Sequence, residues 1–152
     1  MSYGDLTLQP GLDRMSCYKP SATGRYLTMI NHKLVLPEHL NHYGYLFGGY
    51  LLHWVDEYAY ITANLDFPGH RFVTIGLDKV VFRKNIRLGS VLKFDINRTR
   101  KCNTSVTYYV KVYCDYIESG AQELVFDTNI TFVNIDENGT KKAVQEKPGP
   151  PQ

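Results

Sequence analysis

Apolar residues in the first half of the chain follow one long helical pattern. From Gly49 onward they recur nearer every 3.6 residues than every second residue, at Leu51, Leu52, Trp54, Val55, Tyr58, Ala59, Ile61 and Leu65. Two adjacent carboxylates, Asp56 and Glu57, bring charge into this pattern. The spacing therefore predicts a largely buried helix in the stretch 41–65, entered through a glycine-containing loop.

Segments rich in β-forming residues lie on both sides of this helix. They cover residues 25–36, 71–82, 91–100, 105–116 and 122–133, and turn-forming residues separate them. A helix that is apolar nearly all round needs an enclosing partner, and a curved antiparallel sheet supplies one. We therefore predict an α+β fold of the hot-dog class, with a curved antiparallel β-sheet wrapped around one long central helix.

The two ends of the chain lack this periodicity. Residues 1–24 contain prolines and glycines without an apolar repeat, and the tail ends in the letters KPGPPQ. We expect an irregular N-terminal arm over 1–24, one domain over 25–135 and a disordered tail over 136–152. The last strands and the helix flank leave surface that a second copy would cover, so we expect a homo-oligomer.

Composition excludes several classes of protein. The 152 residues suit one domain, and no apolar run approaches the length of a membrane span. Seventeen Lys and Arg against fifteen Asp and Glu give a net charge of +2, which does not favour a nucleic-acid partner. No targeting pattern is visible, so we expect a cytoplasmic protein. Three cysteines, Cys17, Cys102 and Cys114, have no metal-type spacing and are expected to be reduced thiols.

The start of the predicted helix is the candidate active site. Gly48 and Gly49 would let a ligand approach backbone N–H groups that have no intrahelical partner, and such groups stabilise a developing oxyanion. Asp56 and Glu57 point about 100° apart on a helix, so one carboxylate faces a pocket and the other faces water. Asp56 is the candidate base or nucleophile.

The stretch VLPEHLNHYGYLFGGYLLHWVDE resembles the acyl-CoA hydrolase branch of the hot-dog thioesterases, which includes the bacterial YciA-type enzymes and their eukaryotic cytosolic relatives. The resemblance implies hydrolysis of the thioester bond of fatty acyl-CoA to free fatty acid and CoA. It implies that no metal is needed. It also implies no cofactor, since coenzyme A is part of the substrate. The matching positions are Pro37, Asn41, Gly44, Phe47, Gly48, Gly49, Asp56, Val73, Thr74, Phe82, Gly89, Thr104 and Ser105.

In that family, an Asn in the loop before the helix acts with an acidic residue on the helix of another subunit, and these match Asn41 and Asp56. The resemblance thus implies a homo-oligomer with shared sites, a dimer at least, with a trimer of dimers as the larger alternative. Asn41 would orient water or the carbonyl, and the N–H of Gly48 or Gly49 would polarise the carbonyl.

Further residues are candidates for binding the substrate. The resemblance suggests Thr74, Phe82, Thr104 and Ser105. CoA carries phosphates, so the basic residues Arg83 and Lys84 are candidates for its recognition.

Three other hypotheses fit parts of the sequence. A hot-dog hydroxyacyl dehydratase would pair a loop histidine, here His42, with Asp56. A metal site would use His39, His42, His53 and Asp56, although the loop histidines lack a fixed ligand spacing. A non-catalytic acyl-CoA binding protein would keep the fold without the reaction.

Overall fold

The computed structural model describes residues 28–146, so the predicted arm over 1–24 lies outside the described residues. Within them the chain forms five strands, one α-helix and one short 3₁₀ turn. In chain order these are β1 (Thr28–Leu34), the 3₁₀ turn (Pro37–His39), α1 (Gly48–Asp66), β2 (Phe72–Leu77), β3 (Val91–Lys101), β4 (Ser105–Tyr116) and β5 (Ala121–Asn134).

The five strands form one antiparallel sheet with the spatial order β1-β3-β4-β5-β2. Short turns join β3, β4 and β5, whereas α1 connects the edge strand β1 to the opposite edge strand β2. The helix therefore lies against one face of the sheet, where it contacts β2, β3, β4 and β5. This is the predicted arrangement of one central helix against an antiparallel sheet.

One side of α1 forms the centre of the hydrophobic core. Leu51, Val55, Ala59 and Ala63 are fully buried, and their spacing of four residues places them on one helix face. The small side chains of Ala59 and Ala63 let the helix axis lie close to the sheet. Buried strand residues cover this face, among them Phe94, Ile96, Val110, Phe126, Ile130 and Phe132.

β2 is shorter than its sequence pattern predicts. The pattern covers 71–82, but the regular strand ends at Leu77. Its register with β5 shifts between Thr74 and Gly76, and such a bulge bends a strand and interrupts the ladder. The backbone N–H of Arg83 still donates to a β5 carbonyl at 3.1 Å, so the segment after β2 follows the sheet edge without being a regular strand.

The segment 136–146 packs on the end of the sheet, although the sequence assigned it to a disordered tail over 136–152. Val144 is buried with the core residues. The buried side chain of Asn134 donates from Nδ2 to two backbone carbonyls of this segment, at 3.1 and 3.2 Å. The difference arises because a polar sequence can be held by backbone hydrogen bonds and a single apolar anchor. Residues 147–152 lie outside the described structure.

Two expectations from composition concern cysteines and membranes. Cys102 is disulfide-bonded, so the expected reduced thiol is wrong for this residue, whereas Cys114 is free and buried. Burial raises the pKa of the Cys114 thiol. In the part of the chain that the structure covers, α1 is not apolar enough to cross a bilayer, and no other helix is long enough.

Candidate active site

The N-terminal end of α1 is open. Phe47 precedes the first helical residue and makes no side-chain capping bond, and the first turn contains no acidic residue. The first N–H groups of a helix have no intrahelical acceptor and carry the positive end of the helix dipole. The backbone N–H groups of Gly48 and Gly49 are therefore available to an electronegative ligand atom.

Phe82 packs directly on this end of the helix. A Cβ atom built on Gly48 would lie 2.9 Å from Cζ of Phe82, which is closer than real Cβ contacts allow, so only glycine permits this approach. The ring also lies 5.6 Å from the ring of Phe126, and 49% of Phe82 is exposed. Phe82 and Gly48 thus lie against one another.

A cavity of about 240 Å³ lies beside this contact. Its walls are mostly apolar, with Lys84 as the charged member, and it is somewhat smaller than ordinary small-molecule pockets. The structure therefore brings three predicted site residues, Gly48, Phe82 and Lys84, to one cavity. The lining residues are Leu46, Gly48, Leu51, Phe82, Lys84, Asn85 and Ile86.

Asn41 lies in a tight loop that leads to the helix. Leu40 and Leu46 form an isolated antiparallel bridge at the base of this loop. Asn41 Oδ1 accepts two backbone N–H groups inside the loop, from Tyr43 at 3.0 Å and from Tyr45 at 3.2 Å. These bonds fix the orientation of the amide, so the NH₂ group is the part of Asn41 that faces away from the loop backbone.

Asp56 is held by a residue from the neighbouring strand. Thr74 on β2 donates its hydroxyl to Asp56 Oδ1 at 2.6 Å. Asp56 is half-buried, whereas Glu57 is exposed, so the two adjacent carboxylates have the different environments that the helix geometry predicts. A hydrogen bond to one oxygen fixes the plane of the carboxylate and leaves Oδ2 to accept a proton. Thr74 therefore orients Asp56.

Arg83 and Lys84 pair with carboxylates of β5. The guanidinium of Arg83 contacts Asp127, and the ammonium of Lys84 contacts Glu123. Hydrogen bonds from these cations hold the pKa values of Asp127 and Glu123 below their usual range. Both cations are about half exposed. A phosphate group would therefore compete with an existing carboxylate for each cation.

Thr104 and Ser105 lie at the other end of the helix. The carbonyl of Thr104 accepts the N–H of Asn134, and Oδ1 of Asn134 accepts the N–H of Arg71, shortly after α1 ends. Ser105 is 3% exposed, so a contact with substrate would require this turn to move. Thr104 Oγ1 is buried and has no hydrogen-bond partner within residues 28–146. For both residues, a substrate contact stays a prediction.

The C-terminal end of α1 carries a polar cluster that the sequence did not indicate. Tyr108 is fully buried and donates its hydroxyl to Asp66 Oδ2 at 2.8 Å, and Arg98 lies 3.5 Å from the same oxygen. Burial raises the pKa of Asp66, although Tyr108 and Arg98 oppose that shift. In the sequence Asp66 is followed by a proline and a glycine and suggests only a helix end, because its partners lie far along the chain.

The hypothetical metal ligands do not assemble. Within residues 28–146, no three His, Cys, Asp or Glu side chains come close enough together to hold a metal ion. His39 instead packs against the rings of Tyr50 and Trp54, at centroid distances of 5.0 and 4.8 Å. His42 packs against Tyr43, at 3.8 Å between ring centroids.

A curved antiparallel sheet with one central helix, and a glycine-containing loop at the start of that helix, define the hot-dog class of proteins. Residues 43–121 match the model of the Thioesterase superfamily, which is more than half of the chain. The chain therefore belongs to the Thioesterase superfamily. This confirms the family and the fold that the resemblance in the sequence implied.

The chain is similar in sequence to curated relatives and in fold to solved structures. The uncharacterized acyl-CoA thioester hydrolase YkhA of Bacillus subtilis is 31% identical over 105 residues, and the match covers 69% of this chain and 60% of YkhA. The acyl-CoA hydrolase of Staphylococcus aureus, solved with butyryl-CoA, CoA and CoA disulfide, is 29% identical with a TM-score of 0.72; 78% of this chain and 72% of that chain align. A hexameric acyl-CoA thioesterase is 33% identical with a TM-score of 0.72, covering 78% of this chain and 76% of that chain.

Three alanine variants of the S. aureus hydrolase have also been solved. They replace an aspartate, an asparagine and a threonine. In the sequence of that enzyme, the replaced Asn and Asp are as far apart as Asn41 and Asp56 are here. In that enzyme, the separation between the replaced Asp and the replaced Thr is one residue shorter than the separation between Asp56 and Thr74 here.

Proposed function

We propose that this protein hydrolyses the thioester bond of fatty acyl-CoA to a free fatty acid and CoA. The observation that carries the proposal is the hydrogen bond from Thr74 to Asp56 on the central helix of a thioesterase fold. Asn41, Asp56 and Thr74 are the residue types, at nearly the same separations, that were replaced in the S. aureus acyl-CoA hydrolase. The chain spans 60% of the length of YkhA. The comparison therefore supports thioester hydrolysis by the domain that the two proteins share.

The geometry supports a defined role for each catalytic residue. The N–H groups of Gly48 and Gly49 would bind the thioester carbonyl oxygen and stabilise the negative charge that develops on it. Oδ2 of Asp56 would take a proton from water as that water attacks the carbonyl carbon, or Asp56 would attack the carbon itself. The C–S bond then breaks, and the CoA thiolate leaves; in the base route it takes up the proton that Asp56 holds. In the nucleophile route, water then hydrolyses the acyl–Asp56 anhydride to the free fatty acid and supplies the proton for the thiolate.

Asn41 acts as a hydrogen-bond donor in this proposal. Its Oδ1 already accepts two loop N–H groups, and its NH₂ group, which has no partner among residues 28–146, would hold the attacking water or the carbonyl. Removing the amide would leave the helix and Asp56 in place. Asn41→Ala should therefore lower kcat more than it raises KM.

We propose that Asn41 and Asp56 of one site belong to different subunits. The flank of α1 exposes Tyr50, Tyr60, Ile61 and Leu65, and a second copy would cover this apolar surface. A similar acyl-CoA thioesterase is hexameric, which supports a trimer of dimers as the larger assembly.

Complementation tests the shared site. Asn41→Ala and Asp56→Ala are each expected to keep only a small residual activity alone. In a mixed dimer one site carries both substitutions and the other carries neither, and random pairing makes half of the dimers mixed. Recovery after co-refolding at equal concentrations should approach roughly a quarter of wild-type activity. An inactive mixture that is shown to contain mixed dimers would reject the shared site.

Substrate binding is proposed at the cavity beside Phe82. Its apolar walls suit an acyl or pantetheine segment, and Lys84 in its lining is a candidate partner for the phosphates of CoA. Arg83, the second candidate, lines a separate cavity together with Asp127. Because both cations already pair with Asp127 and Glu123, the net gain from a phosphate is reduced. The double variant Arg83→Ala, Lys84→Ala should raise KM for acyl-CoA in a salt-dependent manner. An unchanged KM would place the phosphate contacts elsewhere.

Thiol release from acyl-CoAs of graded chain length tests the activity itself. Hydrolysis predicts stoichiometric free thiol, with full activity after chelation of metals because no cofactor takes part. Hydration of a crotonyl thioester without thiol release would identify a dehydratase, in which His42 acts with Asp56. Tight binding of acyl-CoA without turnover would identify a binding protein. Fractionation of cells that express the tagged chain tests the predicted cytoplasmic location.

A further inference from the structure

His39 stands at the junction between the 3₁₀ turn, the Asn41 loop and α1. It is 7% exposed, and its ring contacts Tyr50 tilted and Trp54 edge-on, both in the first two turns of the helix. Trp54 is itself buried, and the ammonium of Lys33 lies 5.3 Å from the centre of its ring. The His39 ring is therefore packed against the helix on which Asp56 is carried.

The polar atoms of His39 close the base of the loop. The ring atom Nδ1 accepts the backbone N–H of Leu36 at 3.0 Å. The backbone N–H of His39 in turn donates to the carbonyl of Leu36 at 3.0 Å. The carbonyl of His39 accepts the N–H of Phe47 at 2.9 Å, and Phe47 is the residue that precedes the first turn of α1. A neutral imidazole with Nδ1 as acceptor carries its proton on Nε2. One residue thus ties the entry of the loop to its exit.

Asn41 follows two residues later, inside the loop that His39 closes. The loop is rigid within itself, since Asn41 bonds Tyr43 and Tyr45 through Oδ1 and Tyr45 also through the backbone, at 2.7 Å. Its direction relative to the helix depends on the base at His39 and Phe47. A misplacement of about 1 Å at a reacting group is enough to cost roughly 10²-fold in rate.

We infer that His39 is a positioning residue that aims the Asn41 amide relative to the helix N-terminus. This rests on the proposed function, in which Asn41 takes part in the reaction. His39 does not touch substrate in this inference. It acts through the loop, by accepting the Leu36 N–H group and by packing its ring on Tyr50 and Trp54.

Three variants of His39 and one control separate this role from a general effect on stability. In His39→Phe the ring remains but the acceptor is lost. In His39→Asn, Oδ1 takes the place of Nδ1, and in His39→Gln the side-chain oxygen lies nearer the place of Nε2. His70→Phe is the control, because His70 is also packed against aromatic rings and bonded to backbone groups, but it follows the far end of α1.

His39→Phe and His39→Gln should lower kcat by roughly 10²-fold with KM little changed, whereas His39→Asn should recover most of kcat. His70→Phe should lower the thermal midpoint without lowering kcat. In an Asn41→Ala background, His39→Phe should change kcat by less than about twofold, because residues that act as a unit are not additive. A full additional loss in the double variant, or equal kcat in all His39 variants, would overturn the inference.

Amide hydrogen exchange tests the same inference without catalysis. In His39→Phe, or in His39→Gln if the former does not fold, the amide of Phe47, which bonds the His39 carbonyl at the base of the loop, should exchange roughly tenfold faster, whereas the same amide should be unchanged in the His70→Phe control. Unchanged exchange at the loop would reject the positioning role even if the protein hydrolyses thioesters. A wild-type protein that releases no thiol, but shows the predicted exchange, would reject only the proposed function.

Discussion

The two ends of α1 are built in opposite ways. At the N-terminal end, the helix begins at Gly48 without a side-chain cap. The half-exposed Phe82 packs against Gly48 beside a cavity. At the C-terminal end, Asp66 is enclosed by the hydroxyl of Tyr108 and the guanidinium of Arg98. One end leaves backbone donors for a ligand, and the other satisfies its polar atoms internally.

This difference separates reactivity from stability along one element. A carboxylate at a helix C-terminus is unfavourable with the helix dipole, so Asp66 is tolerated because Arg98 and Tyr108 offset it. The ring of Phe67 also lies 4.9 Å from the Arg98 guanidinium, which removes that cation from water. Asp56, midway along the helix, keeps one oxygen for chemistry and gives the other to Thr74. Substitutions at the N-terminal end and at Asp56 should therefore change the rate of the reaction, whereas substitutions at the C-terminal end should change the free energy of unfolding.

The largest effect is expected at Asp56. Asp56→Asn removes a base or nucleophile without changing side-chain volume, so kcat should fall by about 10² or more while the fold is retained. The measurement is thiol release together with circular dichroism. Glu57→Gln is the matched control, because Glu57 is exposed on the next helix position and should have a mild effect. Near-normal kcat in a folded Asp56→Asn protein would reject this role.

The C-terminal end should respond in stability and not in rate. Tyr108→Phe leaves the half-buried Asp66 carboxylate without its hydroxyl donor, and a lost hydrogen bond to a charged group costs about 1–3 kcal/mol of unfolding free energy. Urea unfolding measures that loss, and thiol release should give an unchanged kcat. A large loss of kcat with normal stability would mean that this end of the helix takes part in catalysis.

A smaller effect is expected from a single methyl group at Gly48. In Gly48→Ala the new Cβ would meet Phe82 at 2.9 Å, so the ring must move, and we expect roughly tenfold lower kcat/KM. Gly76→Ala is the control, because a Cβ there meets nothing within 4 Å. Adding Phe82→Leu to Gly48→Ala should restore part of the activity if the clash is the cause. No recovery would indicate that the glycine itself is needed.

The smallest effect is the pH dependence of stability at Asp66. Burial raises its pKa above the usual 3.8, so the folded protein holds the proton more tightly than the unfolded chain. Asp66 thus adds stability below pH 3.8 and loses that contribution as the pH rises through the raised value. The unfolding free energy of wild type relative to Asp66→Asn should fall across this window.

Asp127 provides the opposite sign as a control. Arg83 lowers its pKa below 3.8, so its contribution is present above that pH and is lost as the pH falls through the lowered value. The unfolding free energy of wild type relative to Asp127→Asn should therefore rise with pH. Two curves of the same sign would contradict the different environments of these carboxylates.

Local patterns account for most of the elements. β4 spans Ser105–Tyr116 as its alternation predicts, and β3 ends one residue beyond its predicted bound, at Lys101. Such agreement follows because side-chain periodicity is a property of neighbouring residues. The exception is β2, where the apolar alternation continues past Leu77 but the ladder with β5 does not. Pairing depends on a strand that lies far along the chain.

The sequence by itself determined the fold class, the helix that carries Asp56 and the glycines at its start, because each of these is encoded within a few turns or by a match to a family. The tertiary structure alone decided which side chains meet. Thr74 hydrogen-bonds to Asp56, Tyr108 hydrogen-bonds to Asp66, and Arg83 forms an ion pair with Asp127. Strand order and register bring these partners together. Contacts between residues distant in sequence depend on how the whole sheet closes on the helix, so no local pattern contains them.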